Sequence, residues 1–437
     1  MKEKLLNGGT KIAIIGLGYV GLPLTVAFAK KNVSVIGFDI NEKKVDSYLK
    51  GIDVTGELAP DDLKNTQITF TSDERKLREA SIFIIAVPTP IDDNKKPFLD
   101  PVFHASKIVG KNMPKDSLVI YESTVYPGLT EDKCVKILEK NSNMVCEKDF
   151  LVGYSPERIN PGDKAFKLQN IVKVVSGINE KALNDVADIY EMIIEAGVFR
   201  AASIRVAEAI KLVENAQRDV NIAFMNELSM YFDYMNIDTQ DVIAGMNTKW
   251  NALKFTPGLV GGHCIGVDPY YFIYQSKKIN YDALITKSCR KINDKMGSIV
   301  GKKILKALNK NKKEPEDTKI YILGVTFKEN CPDTRNSKAE DIIQCLKNEG
   351  YHPLINDPWV SDEELKEQFG CETSTLEDIQ NADCIVFIVA HDTYKNLSYN
   401  TINSWFNKSN NHTSVFDIKR MYDKNKLTSM GHYYWGL

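Results

Sequence analysis

The segment KIAIIGLGYVGLPLTVAFAKK, residues 11–31, decides the fold of the first part of this chain. A short run of apolar and β-branched residues leads into three glycines with GxGxxG spacing, and a second apolar run follows. This order predicts a buried strand, a tight turn and a buried helix. The uncharged window 12–29 is at the short limit for a membrane span, and its glycines and its proline favour the strand–turn–helix interpretation.

Similar strand-like runs occur in two groups, one before residues 203–236 and one after them. VSVIGFDI, ASIFIIAVPTP, DSLVIYESTV and DFLVGYSPERI follow the opening segment. After the polar run NKNKKEPEDT at 309–318, a candidate linker, the pattern restarts with KIYILGVTFK, YHPLIND, DCIVFIVA and SVFDIK. Strands alternating with helical segments are typical of doubly wound sheets. We therefore predict an α/β protein with two Rossmann-like, doubly wound domains.

Residues 203–236 contain neither glycine nor proline and lie between the two α/β patterns. Apolar residues recur there near helical spacing, at Val206, Ile210, Val213, Val220, Phe224, Leu228 and Tyr231. We predict one long central helix that joins the domains or pairs with a partner subunit, and that is apolar enough to be buried. The expected domains are 10–202 for cofactor binding, 203–308 for the central helical part, and 315–437 for the second Rossmann-like part.

Composition excludes several classes of function. A formal net charge of −2 over 437 residues gives no electrostatic argument for a nucleic-acid or membrane partner. The eight cysteines form no CxxC pair and no His/Cys cluster, so no metal site is predicted. Scattered thiols and the lack of a signal-peptide pattern indicate a reducing compartment, and we expect a cytoplasmic protein.

The glycine turn indicates a dinucleotide. Gly16, Gly18 and Gly21 permit a tight turn and let a pyrophosphate approach the helix N-terminus. Asp39 ends the next strand, where a carboxylate bonds the ribose hydroxyls of NAD and repels the 2′-phosphate of NADP. Lys43 and Lys44 weaken that exclusion. The alternative is a Rossmann-like fold without a nicotinamide cofactor.

A second candidate site lies on the long helix. Glu208, Lys211, Asn215 and Arg218 are spaced by three or four residues and share one stripe. One interpretation is a solvated face with ordinary pairs, such as Glu214 with Arg218. In a buried helix, however, a lysine beside an asparagine needs an anionic partner or a reacting oxygen.

The loop GGHCIGVDPYY, residues 261–271, supplies the reactive group. Cys264 is either a small buried hydrophobe or a nucleophile, and the glycines around it favour close approach of backbone to a ligand. A thiol beside a nicotinamide can add to an aldehyde, and the thiohemiacetal can lose a hydride to give a thioester. Asp268 is placed to activate or orient the hydrolytic water, and Lys211 to stabilise the oxyanion.

Seven motifs carry a family resemblance. In order they are GLGYVGLPL, VPTP, YESTVYPG, SPERINPG, AEAIKLVENAQRD, GGHCIGVDPYY and GVTFKENCPDTR. Together they resemble the UDP-sugar 6-dehydrogenase family, the UDP-glucose/UDP-mannose dehydrogenases, over residues 10–420. The resemblance implies NAD-dependent four-electron oxidation of a sugar C6 alcohol to a uronic acid with two NAD+ per turnover. It also implies a homodimer built on the central helix and a C-terminal domain that binds UDP.

The resemblance also assigns residues. It implies that the catalytic residues are Cys264, Lys211, Asn215, Asp268, Thr124 and Glu157. It implies NAD contacts from Gly16, Gly18, Val20, Gly21, Asp39, Lys44, Thr89, Thr124 and Arg335. Substrate contacts are implied for Glu157, Arg158, Ile159, Lys211, Asn215, Arg218, Lys249, Gly261, Phe327, Lys328 and Lys419.

The run from Arg158 to Gly162, and His263 before the cysteine, are similar to the branch acting on UDP-N-acetylhexosamines. An arginine near the sugar can donate to an acetamido carbonyl. This branch includes bacterial enzymes that make UDP-N-acetylglucosaminuronate or its galacto epimer for capsule and O-antigen. UDP-GlcNAc is the expected substrate, and UDP-GalNAc, UDP-ManNAc and UDP-glucose are the alternatives.

Two other classes of function compete. One is a single-step NAD dehydrogenase in which Cys264 is only structural. The other is a non-catalytic protein that binds NAD or a nucleotide sugar. A complete set of nucleophile, oxyanion stabiliser and acid/base groups favours the enzyme, because binding alone requires no nucleophile.

Overall fold

The computed structural model describes residues 2–58, 61–64, 67–159, 168–311, 313–407, 410 and 412–437. These residues form two compact units. Unit 1 comprises the residues up to Glu214 together with Tyr270–Asp282, and unit 2 comprises Asn215–Pro269 and Ala283–Leu437.

Unit 1 is built on an eight-stranded sheet in the order β3-β2-β1-β4-β5-β6-β7-β8. The strands are β1 Lys11–Ile15, β2 Val35–Phe38, β3 Ile68–Thr71, β4 Ala80–Ile85, β5 Ser117–Tyr121, β6 Phe150–Tyr154, β7 Lys173–Gly177 and β8 Val198–Arg200. Neighbouring strands are parallel except for the antiparallel pair β6–β7. The order 3-2-1-4-5-6 is that of a dinucleotide-binding sheet, whose ligands bind at the carboxyl ends of β1 and β4.

The helices of unit 1 that precede the long helix are α1 Lys2–Leu6, α2 Gly21–Ala29, α3 Glu42–Leu49, α4 Asp100–Asn112, α5 Val135–Ser142 and α6 Glu180–Tyr190. Short 3₁₀ turns occupy Asp62–Lys64, Glu74–Glu79 and Leu168–Asn170, and a π-helical turn occupies Thr130–Cys134. The apolar window of the opening segment forms β1 and α2, as the pattern predicts. Ile12, Ile14 and Phe28 pack into one buried core with side chains from the neighbouring strands.

Four helices follow in the chain: α7 Ile204–Met235, α8 Thr239–Met246, α9 Asp268–Lys278 and α10 Leu284–Leu308. Helix α10 ends just before the predicted linker, where 3₁₀ turns occupy Asn309–Asn311 and Pro315–Asp317. Lys312 of that linker lies outside the described residues. Within the part of the chain that the structure describes, no helix is both long and apolar enough to cross a membrane.

Unit 2 contains a second, all-parallel sheet in the order β10-β9-β11-β12-β13. Its strands are β9 Ile320–Leu323, β10 Leu354–Asn356, β11 Cys384–Phe387, β12 Ser414–Asp417 and β13 Tyr433–Trp435. Its remaining helices are α11 Ala339–Asn348, α12 Asp362–Phe369, α13 Asp392–Lys395, α14 Tyr399–Ser404 and α15 Lys424–Ser429. The predicted fold class, two Rossmann-like α/β parts with a long helix between them in the chain, is confirmed.

The long helix α7 runs over 32 residues, and it is buried on its polar side but not along its apolar row. Val213, Phe224 and Tyr231 of the apolar row are 54%, 57% and 56% exposed. The opposite row, which carries Glu208, Lys211, Asn215, Asp219 and Asn226, is buried. The polar row can be buried because its members bond groups from remote segments. Glu208 accepts from two backbone N–H groups, and Asp219 pairs with Arg290 at 2.5 Å.

Candidate active site

The turn between β1 and α2 has the geometry of a pyrophosphate cradle. Gly16 adopts a φ of 93°, which favours glycine. A Cβ at Gly21 would lie 1.8 Å from the carbonyl oxygen of Gly16, so the helix can start there only with glycine. No described atom lies within 4 Å of the Cβ position of Gly18. That open space at the N-terminal end of α2 suits a bound anion.

Asp39 follows β2 and is tied to the same turn. One carboxylate oxygen accepts from the backbone N–H of Leu17 at 2.9 Å and from Lys44 Nζ at 3.3 Å. The other accepts from the backbone N–H of Asn41 at 3.0 Å. A carboxylate offers about four lone-pair sites, so acceptor capacity remains for ribose hydroxyls. The predicted contacts Asp39 and Lys44 therefore form one anchored pair beside the glycine turn.

Replacing Asp39 by asparagine is expected to weaken NAD binding about 10-fold to 100-fold, because a charged hydrogen-bond acceptor contributes about 1.5–3 kcal/mol. Titration of NAD into the purified variant, followed by calorimetry, measures this. Asp46→Asn on the exposed face of α3 is the matched control. Unchanged NAD affinity in Asp39→Asn would remove Asp39 from the cofactor site.

Two further predicted contacts lie on loops after neighbouring strands of unit 1. Thr89 follows β4, and its carbonyl oxygen accepts from the Tyr271 hydroxyl at 2.9 Å. Thr124 follows β5 and is half-buried. Both loops leave the carboxyl ends of strands, where a doubly wound sheet binds its ligand. The residues of unit 1 thus fit NAD, with Val20 directly preceding α2.

Glu157 lies after β6, buried and fully engaged. One carboxylate oxygen accepts from the backbone N–H groups of Arg158 and Ile159 at 2.6 and 2.5 Å. The other accepts from Lys173 Nζ at 3.0 Å. Burial by itself raises the pKa of Glu157, but Lys173 and the two N–H groups outweigh it and hold that pKa below its ordinary value. Glu157 is therefore an oriented, ionised carboxylate.

Lys173 was missed by sequence reasoning. It opens β7, is buried, and also lies 3.2 Å from Glu122, whose carboxylate accepts from the Tyr190 hydroxyl. Burial raises the pKa of Glu122 to about 7, against the lowering effect of Lys173. A lone lysine at the start of an apolar strand was the only signal in the sequence. One buried cation thus serves two carboxylates, of which Glu122 is the one that holds a proton near neutral pH.

Glu208, the first member of the predicted stripe on α7, bonds backbone instead of a ligand. Its carboxylate accepts from the N–H groups of Gly128 at 2.5 Å and Thr130 at 3.0 Å. Burial raises its pKa to about 7, although these hydrogen bonds lower it. Lys211 is buried one turn further along α7.

These two raised pKa values predict a pH-dependent stability. A folded Glu208 or Glu122 keeps its proton up to about pH 7, whereas an unfolded glutamate loses it near pH 4.5. The stabilisation is therefore complete below the unfolded pKa and is lost as the pH rises through about 7. Between pH 5 and pH 8, Glu208 should lower the free energy of unfolding of the unaltered protein by about 1–3 kcal/mol. This decrease should be absent in Glu208→Gln, and the midpoints of chemical unfolding at each pH measure it. Glu180 is exposed, and Glu180→Gln is the control. If stability changed with pH equally in the unaltered protein, in Glu208→Gln and in Glu180→Gln, the raised pKa of Glu208 would be contradicted.

The predicted substrate contact Arg158 is held by the long helix. Its guanidinium donates to both carboxylate oxygens of Glu214, at 3.2 and 2.5 Å, and to the carbonyl of Val172 at 2.8 Å. Glu214 thus pairs with Arg158, and Arg218 is exposed. Three of the five N–H groups are used in this way among the described residues, and two more can donate to a ligand. Residues 160–162 of the same motif lie outside the described residues.

In unit 2, Cys264 sits in a tight turn that leads into α9. Its carbonyl oxygen accepts from the backbone N–H groups of Val267 and Asp268 at 3.0 and 2.8 Å. Gly262 has a φ of 76°, and a Cβ there would lie 2.7 Å from the Phe327 ring. A Cβ at Gly261 would lie 2.6 Å from the carbonyl oxygen of Asn336. The glycines therefore admit neighbouring parts of unit 2, and Cys264 itself is half-buried.

Asp268 is the first residue of α9 and is almost fully buried. Asn215 Nδ2 donates to one of its carboxylate oxygens at 2.6 Å. The N-terminal end of a helix favours negative charge, and Cys264 lies one turn before it. The structure thus brings three predicted catalytic residues of unit 2, Asn215, Cys264 and Asp268, into one local arrangement.

Four of the predicted substrate contacts of unit 2 line one pocket. They are Gly261, Phe327, Lys328 and Lys419. Three lysines, Lys328, Lys338 and Lys419, line it with one glutamate, Glu329, and this excess of positive charge suits a diphosphate. Lys249 is exposed after α8 and is not among the described residues that line this pocket.

His263 and Arg335 meet at Asp333. Arg335 Nε and Nη2 donate to the Asp333 carboxylate at 3.0 and 2.8 Å, and His263 Nδ1 lies 3.6 Å from it. Burial, reinforced by Arg335, lowers the pKa of His263. The imidazole and the Phe327 ring are nearly perpendicular, at 87°, with ring centroids 6.0 Å apart. His263 is thus a neutral ring at neutral pH, in contact with a wall of the pocket.

Three family models match the chain, and all describe UDP-glucose/GDP-mannose dehydrogenases. The NAD-binding domain matches residues 10–194, the central domain 205–295 and the UDP-binding domain 321–424. Protein CapL of Staphylococcus aureus is 47% identical over 416 residues, 95% of this chain and 97% of that protein. The UDP-N-acetyl-D-glucosamine 6-dehydrogenase of Pseudomonas aeruginosa is 44% identical over 417 residues, with 95% and 98% covered. A solved UDP-D-ManNAc dehydrogenase from Pyrococcus horikoshii superposes with a TM-score of 0.87 at 29% identity, covering 98% of each chain.

These matches confirm the predicted family resemblance, NAD as cofactor and a UDP-sugar as the class of substrate. They extend along nearly the whole chain and follow the order of the seven motifs. The chain therefore belongs to the UDP-glucose/GDP-mannose dehydrogenase family of NAD-dependent oxidoreductases.

Proposed function

We propose that this protein oxidises the C6 hydroxyl of a UDP-N-acetylhexosamine, with UDP-GlcNAc as the preferred substrate, to the uronic acid. The observation that carries the proposal is the turn of Cys264, in which the thiol precedes a buried carboxylate, Asp268, that Asn215 holds at 2.6 Å. A single alcohol oxidation requires no thiol. Conversion of an aldehyde into an acid does, when it proceeds through a thioester.

The reaction balances as one alcohol, one water and two NAD+ giving one carboxylate, two NADH and three protons. NAD+, which the glycine turn and Asp39 would hold, would supply the hydride acceptor for each of the two oxidations. The Cys264 sulfur adds to the aldehyde carbon as a thiolate and forms a C–S bond. After the second hydride leaves, water attacks the thioester carbon, and the C–S bond breaks to release the uronate and the thiol.

The other residues supply positions and charge. Lys211 stabilises the oxyanion that forms when sulfur or water adds to the carbonyl carbon. Asp268, fixed by Asn215, orients and deprotonates the hydrolytic water. Thr124 and the ionised Glu157 position water and substrate. Their placement after neighbouring parallel strands, β5 and β6, supports this role.

Substrate binding follows from the pocket in unit 2 and from Arg158. Lys328 and Lys419 neutralise the diphosphate, and Phe327 and Gly261 also line the pocket. The two remaining N–H groups of Arg158 are suited to an acetamido carbonyl. Arg218 and Lys249 are further proposed contacts, and Arg335 is a proposed contact of NAD.

Organisation and context belong to the same proposal. Residues 10–202, 203–308 and 315–437 serve cofactor binding, the central helix with the thiol loop, and UDP binding. A homodimer is supported by the exposed apolar row of α7, since Phe224 and Tyr231 lie outward on it. We propose a cytoplasmic enzyme without nucleic-acid or membrane partners. We also propose a role in capsule or O-antigen precursor synthesis, and the name of the CapL relative supports the capsule alternative.

A panel of UDP-sugars tests the substrate. Purified protein is given NAD+ with UDP-GlcNAc, UDP-GalNAc, UDP-ManNAc or UDP-glucose, and NADH formation is followed. We expect the highest kcat/KM with UDP-GlcNAc, and lower values with the other three sugars. Exclusive reaction of UDP-glucose would contradict the N-acetylhexosamine assignment, while a preference for UDP-GalNAc or UDP-ManNAc would correct the epimer.

A further inference from the structure

A buried histidine in unit 2 lies beside the pocket loop and has no role in the mechanism above. His391 follows β11, at the carboxyl end of the second sheet, and its side chain is fully buried. Its Nδ1 lies 2.9 Å from the backbone nitrogen of Asn330. Its Nε2 lies 3.1 Å from both Asp357 Oδ2 and Thr326 Oγ1.

The partners of His391 determine where its proton is. The backbone N–H of Asn330 donates, so Nδ1 must be the accepting nitrogen and carries no hydrogen. Thr326 Oγ1 already donates to the carbonyl of Lys328 at 3.0 Å, so it accepts from the imidazole. Nε2–H therefore donates to Thr326 and Asp357. All three contacts are satisfied together only by the neutral tautomer with hydrogen on Nε2.

Asp357 occupies in the second sheet the place that Asp39 occupies in the first. It follows β10, and one carboxylate oxygen accepts from the backbone N–H groups of Val325 and Thr326 at 2.8 and 3.2 Å. Asp39 follows β2 and accepts from the N–H of Leu17 in the corresponding turn. Asp39 is left with acceptor capacity for a ribose. Asp357 instead accepts from His391 and is almost fully buried, so this carboxylate bonds the protein and not a ribose.

The loop that this pair holds is the one that supplies the pocket. Residues 325–330 contain Phe327 and Lys328, both of which line the pocket. Asp357 holds the start of this loop at Val325. His391 bonds Thr326 near the start and Asn330 at the end. The side chain of Asn330 in turn accepts from the backbone N–H of Asp392, next to His391, at 3.1 Å.

We propose that His391 and Asp357 are positioning residues that hold loop 325–330 in the conformation that binds the uridine diphosphate group. They do not touch the ligand, and act through Phe327 and Lys328. The inference rests on the proposed function, because Phe327 and Lys328 are taken there as substrate contacts. It also gives this Rossmann-like part a reason to bind a UDP group and not a second dinucleotide, because its ribose-binding carboxylate is used internally.

Binding of UDP to the full-length protein, measured by calorimetry, tests the proposal without catalysis. His391→Phe keeps a ring but removes both hydrogen-bonding nitrogens. We expect about 10-fold to 100-fold weaker UDP binding, a matching rise of KM for the UDP-sugar, and unchanged NAD binding. His391→Gln provides a second variant that can still donate to Asp357, and a smaller loss is expected from it.

His432→Phe is the matched control. His432 is also buried in unit 2 and hydrogen-bonded, to Thr413 at 2.7 Å and Asn403 at 2.9 Å, but it does not contact the loop. A general loss of stability would weaken UDP binding equally in both phenylalanine variants, and that result would overturn the positioning role. Wild-type affinity in His391→Phe and His391→Gln would overturn it as well. If the unaltered protein failed to bind UDP, the proposed function itself would fail, which separates the two outcomes.

Discussion

Replacing Cys264 by serine is expected to lower the rate of complete oxidation on the order of 1,000-fold or more. A serine hydroxyl is almost never ionised near neutral pH, whereas a thiol forms a thiolate and is a much stronger nucleophile. The variant should therefore stall before the thioester forms, and little uronate should appear. Product analysis by mass spectrometry, together with NADH absorbance, measures both parts of this expectation.

Cys146→Ser is the control for this substitution. Cys146 is also half-buried, but it lies in unit 1 before β6, and burial raises the pKa of its thiol to about 11. We expect the control to retain ordinary turnover. Near-normal uronate formation by Cys264→Ser would mean that the thiol is structural, and it would favour the single-step dehydrogenase.

Replacing Asp268 by asparagine is expected to slow turnover about 100-fold to 10,000-fold, the range for loss of a general base. The variant removes the carboxylate but keeps a side chain of similar shape beside Asn215. If Asp268 acts in hydrolysis, the thioester should accumulate, so denatured protein should carry the sugar acyl group on Cys264. Intact-protein and peptide mass spectrometry after mixing with substrate and NAD+ would detect this adduct.

Asp241→Asn, an exposed carboxylate on α8, serves as the control and should leave turnover and adduct level unchanged. A slow Asp268→Asn variant with no adduct would place Asp268 before thioester formation. A variant with full activity would exclude it from the chemistry.

The opening strand, turn and helix were predictable because each residue type there satisfies a local requirement. Gly16 has a positive φ, and a Cβ at Gly21 would lie 1.8 Å from the carbonyl oxygen of Gly16. Both positions are glycines of the GxGxxG motif, so the motif predicts both constraints. The strands β3 and β8 were not predicted from the sequence. They are short, and β8 is mostly exposed, so they lack the apolar run that marks a buried strand.

The exposure of the apolar row of α7 was not predicted from the sequence, since the partners of its polar row are remote in sequence. Apolar periodicity shows that a helix has two faces, but it does not show which face is buried. The polar face is buried here because Gly128 and Thr130 donate to Glu208 and Arg290 donates to Asp219. The same reasoning explains Lys173. Its two carboxylates come from the ends of β5 and β6, and no local pattern reveals that they meet.

Within the candidate site, residues close in sequence were easier to relate than residues that meet only after folding. The spacing of Cys264 and Asp268 already indicated a thiol and a carboxylate one turn apart. Pairing of Arg158 with Glu214 was not visible, because an i,i+4 partner for Glu214 was available on the same helix.

The central claim is a four-electron oxidation, and the most direct test is the number of NADH molecules formed for each UDP-GlcNAc consumed. Purified protein is given a limiting amount of UDP-GlcNAc and excess NAD+, and the reaction is followed to completion by NADH absorbance. We expect two NADH for each sugar, with UDP-N-acetylglucosaminuronate as the product. One NADH for each sugar, with an aldehyde as the product, would contradict it.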